Sequence, residues 1–198
     1  MKKRWIVMLS LVTALCATAA WSAHQSQRQL AEKMIRLHVI ANSDSAADQA
    51  LKLEVRDAIL QRAEEILTDC EDMTEAEETL SALLPELEEI AAETVSEAGF
   101  YYAVSADLSL ERYPARTYDS FSLPAGSYLS LRLTIGAGEG KNWWCVVFPP
   151  LCNAATTEEF TDSAEAAGLT EEEVALITQE SEGYVVRFKL IDWVESLL

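Results

Sequence analysis

Side chains able to do chemistry are few in this chain, and they gather in two short stretches. In the first, His38 is followed by Ser43, Asp44 and Ser45, the residue types of a base, a nucleophile and an orienting acid. An exported cell-wall hydrolase using His38 and Asp44 is the enzymatic alternative that this stretch raises. It would need all its groups within one turn, and the chain has neither a G-x-S-x-G elbow nor an Asp-Thr/Ser-Gly motif. The plainer reading is a strand-borne structural histidine followed by a helix cap. The glycine-rich segment 136–140 ends on Lys141, but a phosphate loop requires Ser or Thr after that lysine and a helix behind it. Asn142 and an apolar strand pattern follow instead, so a hairpin turn is expected. His24 and His38 are the only histidines and neither adjoins a cysteine. A zinc site needs three or four ligands, so neither a metal, a cofactor nor a catalytic set is expected.

The second stretch runs from Asn142 to Cys152 and holds Trp143, Trp144, Cys145, Pro149, Pro150 and Cys152. Neighbouring residues on a strand face opposite ways, so one tryptophan at most packs into a given core layer. The other is covered by a helix or left as an aromatic anchor for a partner. Pro149-Pro150 ends the strand, and Cys145 and Cys152 flank that corner. Two outcomes are open: a disulfide, or two packed thiols beside the tryptophans. A bridge closing so short a loop contributes about 2.5 kcal/mol before strain. Cys70 lies on an apolar helical stripe and reads as a buried thiol.

Asn42, Ser43, Asp44 and Asp48, followed one or two turns later by Lys52 and Arg56, set polar groups along one edge. Together with Trp143 and Trp144 they form the candidate partner-binding set. Their competing explanation is helix capping, where an alanine replacement costs about 1 kcal/mol.

These groups are positioned by a simple order of elements. Ile35 to Ile40 reads as a strand, and Ser45 with Asp48 resembles a capping box for a helix reaching about Asp69. Leu51, Val55, Ile59, Ala63, Ile66 and Leu67 form its apolar stripe. A second, strongly acidic helical stretch runs from Thr74 to Ala98, and Pro85 predicts a kink or a split into two helices. Gly99 is its C-terminal cap. Alternation then predicts strands over 102–110, 118–123, 129–135 and 142–148, the last two joined as a hairpin. Short helices near 158–167 and 170–179, a strand over 184–190 and a terminal helix complete the pattern. Thr170 and Glu173 make another capping box. The fold class is α+β: a single exported domain with a mainly antiparallel sheet and packed amphipathic helices.

The chain begins with Lys2, Lys3 and Arg4, an apolar run from Trp5 to Trp21, and small residues at 17, 19, 20 and 22. That is the pattern of a secretory signal peptide, assigned to residues 1–22, with an N-terminal anchor over 5–21 as the alternative. Residues 23–34 read as a linker, with a frayed first helix over Gln25 to Lys33 as the alternative, and 35–198 as the folded domain. Localisation follows: the domain crosses the cytoplasmic membrane, and the membrane is touched through the N-terminal segment alone. The formal charge is −18. Such a surface repels phosphate backbones and anionic lipid heads, so nucleic acid is excluded as a partner class and a basic protein surface is favoured.

Three blocks resemble the stage II sporulation protein R family. They are Arg36 to Ser45 with Asp48-Gln49 and Leu51-Lys52; Leu123 to Tyr128; and Gly136 to Cys152 with its Asn-Trp-Trp-Cys and Phe-Pro-Pro-Leu-Cys runs. The resemblance spans about Arg36 to Val194 and is weakest in the acidic helix between Glu71 and Glu97. It implies a signalling protein of endospore formation, secreted between the forespore and mother-cell membranes. There it would activate a membrane-embedded aspartic protease, which processes a mother-cell sigma factor precursor. It implies no catalytic residues and no cofactor.

Overall fold

A computed structural model describes residues 2–118, 121–152 and 157–178. Its centre is the strand Ile35–Ile40 (β1), buried along nearly its whole length. A strand buried on both sides needs two pairing neighbours. They are Gly126–Ile135 (β5), parallel to β1, and Asn142–Phe148 (β6), antiparallel to it. Val104–Tyr113 (β2) pairs antiparallel with β5, giving the sheet order β2-β5-β1-β6. Consecutive β5 and β6 are therefore not hairpin partners, and the glycine segment 136–141 is a crossover. Local adjacency in sequence suggested the hairpin; the demand of the apolar β1 for neighbours on both edges overrides it.

The helix Ala46–Leu67 (α2) starts on Ser45, whose side chain accepts from the Asp48 amide. Met73–Glu97 (α3) is one continuous helix with Pro85 inside it, so of the two outcomes expected there, a kink or a split, the split does not occur. It starts on Asp72, whose carboxylate accepts from the amides of Thr74 and Glu75. It ends where Gly99 adopts φ +83 and Phe100 N donates to Val95 O at 3.0 Å, a left-handed cap that closes the last turn. The stripes Leu51, Val55, Ile59 and Leu80, Leu87, Ala91 pack on Leu37, Val39, Leu131 and Leu133 as one core.

The opposite face of the sheet carries a second core. Tyr113, Tyr128 and Val146 meet Leu30, Met34, Leu151 and the buried residues of Thr157–Ala166 (α4) and Glu171–Thr178 (α5) there. Thr170 and Glu173 cap α5 reciprocally, at 2.8 and 3.2 Å. A small ribbon of Arg116–Thr117 (β3) and Ser122–Leu123 (β4) lies on this side. The expected strand over 184–190 and the terminal helix lie outside the described residues.

Lys2–Ala31 (α1) is a single helix. Its first two-thirds expose large apolar side chains, among them Trp5, Leu11, Leu15 and Trp21. Among the described residues no helix is long and apolar enough to cross a membrane. Across the segment read as a linker or a frayed first helix, the helix continues to Ala31, and Gln27, Leu30, Ala31 and Met34 are buried.

Candidate functional site

The first stretch folds around a carboxylate. Asp48 is 4 % exposed and accepts from Asn42 Nδ2 at 2.9 Å and from Ser43 Oγ. The Ser43 hydroxyl, then the Asn42 amide, hold its carboxyl below the usual range, against the opposing effect of burial. Asn42 also accepts from Ala137 N at 2.9 Å, Asp44 accepts from Lys141 N at 2.8 Å, and Gly140 N donates to Ala41 O at 2.9 Å. The turn after β1 thus clasps the crossover loop. Gly140 is required by that closeness, since a Cβ there would stand 2.6 Å from the Ser43 carbonyl carbon and 2.8 Å from Ala41 Cβ. Lys52, 5 % exposed, donates to Gln49 Oε1 at 2.7 Å and Lys141 O at 3.0 Å. Burial, then the neighbouring Arg56 charge, pushes its ammonium pKa down.

The loop so held delivers β6. Trp143 lies on the α2 side, 38 % exposed, with the Arg56 guanidinium 4.3 Å above its ring. Arg56 is held in turn by Asp57 at 2.6 Å. Trp144 points to the other face, half-buried, against His38 at 5.5 Å and Tyr113 at 6.4 Å, with Arg116 4.0 Å over its ring. Lys141, Trp143, Trp144, Arg116 and Tyr118 line a pocket of about 510 Å³. Cys145 and Cys152 are joined by a disulfide with Cα atoms 5.7 Å apart, while Cys70 is free and partly buried.

The structure therefore gathers the eight candidate partner-binding residues into one neighbourhood but divides their work. Asn42, Ser43, Asp48 and Lys52 face inward and hold the loop, so Asp48 and Lys52 offer no surface. Asp44 is exposed but spends its carboxylate on the Lys141 amide. Arg56, Trp143 and Trp144 form the part that reaches the surface.

A second set surrounds His38, whose partners were not found from the sequence. Arg36 and His38 project from β1 onto the polar face, where Glu111 of β2 reaches across β5 to His38. His38 Nδ1 donates to Glu111 at 2.9 and 3.0 Å. Ser130 lies between them and donates to Glu111 Oε2 at 3.0 Å, and Tyr113 OH shares a 2.6 Å hydrogen bond with Ser130. A small residue at 130 is what lets the carboxylate pass. Arg36 is fully buried among Tyr113, Tyr118 and Tyr128. Burial pushes the Tyr113 and Tyr128 phenols well above their usual range. The signal was the alternation of Arg36 and His38 with Ile35, Leu37 and Val39, which marks a polar inner face. The hydrolase pairing fares differently from that reading: the carboxylate on His38 is Glu111, and Asp44 is engaged at the loop. Among the described residues no group of His, Cys, Asp and Glu could hold a metal ion.

The family model for stage II sporulation protein R matches residues 31–158, which takes in both stretches and every strand of the sheet. The chain belongs to the stage II sporulation protein R family. It is 31 % identical to the stage II sporulation protein R of Bacillus subtilis (strain 168), over all of this chain and 99 % of that relative. No solved structure matches it. The family match begins at Ala31, the last residue of α1, and so covers the clasped loop, the tryptophan pair and the bridged cysteines together.

Proposed function

We propose that this member of the stage II sporulation protein R family is a secreted signal of endospore formation. It acts between the forespore and mother-cell membranes and switches on a membrane-embedded aspartic protease that matures a mother-cell sigma factor precursor. The observation that carries the contact surface is the edge formed by β6 and α2. There an exposed tryptophan, stacked with Arg56, stands on β6 just after a loop clasped by hydrogen bonds with Asn42, Asp44 and Lys52. Rigid, partly exposed aromatics flanked by arginine are the residues that dominate binding energy, and preorganisation lowers the entropic cost of docking. The charge of −18 agrees with a protein partner and not with nucleic acid.

The contact is tested by precursor processing in sporulating cells carrying Trp143→Ala, Arg56→Ala or Trp144→Ala. Truncating a hot spot costs about 2 kcal/mol of binding, roughly thirtyfold in affinity. Loss of processing by a folded, exported Trp143→Ala domain supports the edge. Full processing by all three variants removes it.

A further inference from the structure

We propose that Arg36 and His38 form a binding site for a single carboxylate supplied from outside the chain. This site lies on the polar sheet face and shares Trp144 with the proposed contact edge, but it does not depend on that reading.

The two side chains alternate along β1 and converge on one ring. The Arg36 guanidinium is 4.1 Å from the Tyr113 centroid, and the His38 ring is 6.2 Å from it. Each is used up except for one atom. Arg36 Nε donates to Cys145 O at 3.3 Å, its Nη2 donates to Tyr118 OH, and His38 Nδ1 donates to Glu111. Among the described residues Arg36 Nη1 and His38 Nε2 are buried with no hydrogen-bond partner, and Arg36 has no carboxylate. Buried polar groups are satisfied in the great majority of native structures, and a buried arginine without an anion is rarer still. Two orphaned atoms against one ring point to something that completes them.

Charge and shape select the ligand. The Arg36 guanidinium is a fixed positive charge, fully buried and without a carboxylate among the described residues, and a monoanion answers it one for one. A dianion such as phosphate leaves a net charge in a low-dielectric site, which is costly. The walls are the flat rings of Tyr113, Tyr118, Tyr128 and Trp144, and a guanidinium edge matches the plane of a carboxylate.

The 510 Å³ pocket lies beside the site, lined by Tyr118 and Trp144 but by neither Arg36 nor His38. Tyr118, which holds Arg36, and Trp144, which covers His38, both line it and are both half-buried, so rotation of either ring opens the way. Arg116 and Lys141 also line it, a local positive spot on a chain with 15 basic and 33 acidic residues. A small free acid and a protein glutamate share this chemistry.

The test is thermal unfolding and tryptophan fluorescence of the exported chain titrated with sodium acetate, sodium sulfate or acetamide at matched ionic strength. Acetate is expected to raise the melting temperature and alter the fluorescence saturably, while sulfate and acetamide do neither. In His38→Gln, checked as folded by circular dichroism, the acetate affinity is expected to fall at least tenfold. Arg36→Lys is expected to lose it altogether, and His38→Gln carries the test if that variant does not fold. Equal effects of all three solutes, preference for sulfate, no response to acetate, or unchanged binding in folded His38→Gln each overturn the proposal. Blocked glutamate (N-acetyl, C-amide) in a parallel titration separates the sources. Tighter binding than acetate supports a protein side chain, and equal binding supports a small acid.

Discussion

Replacing Gly140 by alanine isolates the clasp between the β1 turn and the crossover loop. Gly140 has an ordinary negative-side backbone, so its substitution carries no left-handed strain. The cost is steric: the new Cβ stands 2.6 Å from the Ser43 carbonyl carbon and 2.8 Å from Ala41 Cβ. Both neighbours are backbone or next to it and cannot swing away as a flexible side chain would. Relief requires the loop to lift, which loosens Gly140 N to Ala41 O, Glu139 N to Asn42 O and Lys141 N to Asp44. Overpacking costs about 1–3 kcal/mol and the three hydrogen bonds, lengthened and not lost, about 1 kcal/mol between them, so about 2–4 kcal/mol in all is expected. Gly99→Ala is the comparison, because φ is +83 there but nothing lies within 4 Å of the added Cβ. Its cost is conformational alone, about 1–2 kcal/mol. Urea unfolding of both variants measures the difference, with Gly140→Ala expected to lower the midpoint by about 1–2 M at the slopes usual for small domains. If Gly140→Ala is no less stable than Gly99→Ala, the clasp does not hold the loop as described.

Three further outcomes follow from the same structure. The Asp48 carboxyl binds its proton more weakly in the folded chain than in the unfolded one. Its contribution is therefore complete above the ordinary carboxylate range near pH 4 and is lost as the pH falls through the lower folded value. Asp48→Asn should flatten the acid side of a stability–pH curve, and an unchanged curve would contradict this. Intact-mass analysis of oxidised exported protein should show Cys145 and Cys152 bridged and Cys70 alone alkylated. Reduction should then cost about 2.5 kcal/mol or less, and free alkylation of both cysteines without reductant would remove the bridge. N-terminal sequencing of exported protein should place the mature start between Ala20 and His24, whereas retained Met1 would make the apolar segment an anchor.

Much of this arrangement was legible before any coordinates. The two-residue and helical periods located β1, α2, α3, β5 and β6, since each has an apolar face that alternates with polar residues. What periodicity does not encode is which strand pairs with which. β5 and β6 looked like a hairpin because they adjoin in sequence, and only the burial of β1 on both edges places it between them. Pro85 looked like a break, yet α3 runs through it, where packing of Leu80, Leu87 and Ala91 on the core outweighs one missing hydrogen bond. The candidate edge was half legible. Trp143 and Trp144 had to point apart, and they do. The polar residues from Asn42 to Lys52 looked like a surface because capping and contact residues share one composition, and the distinction rests on a loop nearly 100 residues away in sequence. The Arg36–His38–Glu111 group stayed hidden for the same reason: Glu111 lies 73 residues from His38.

The most direct test of the proposed signal is reconstitution of the sigma factor precursor, the membrane-embedded protease and the purified domain in vesicles. The domain is added to the side corresponding to the intermembrane space. The account predicts that precursor processing requires the domain on that side, and that Trp143→Ala shifts the activating concentration upward by roughly thirtyfold while remaining folded. Processing at the same rate without the domain, or with it confined to the opposite side, would contradict the account.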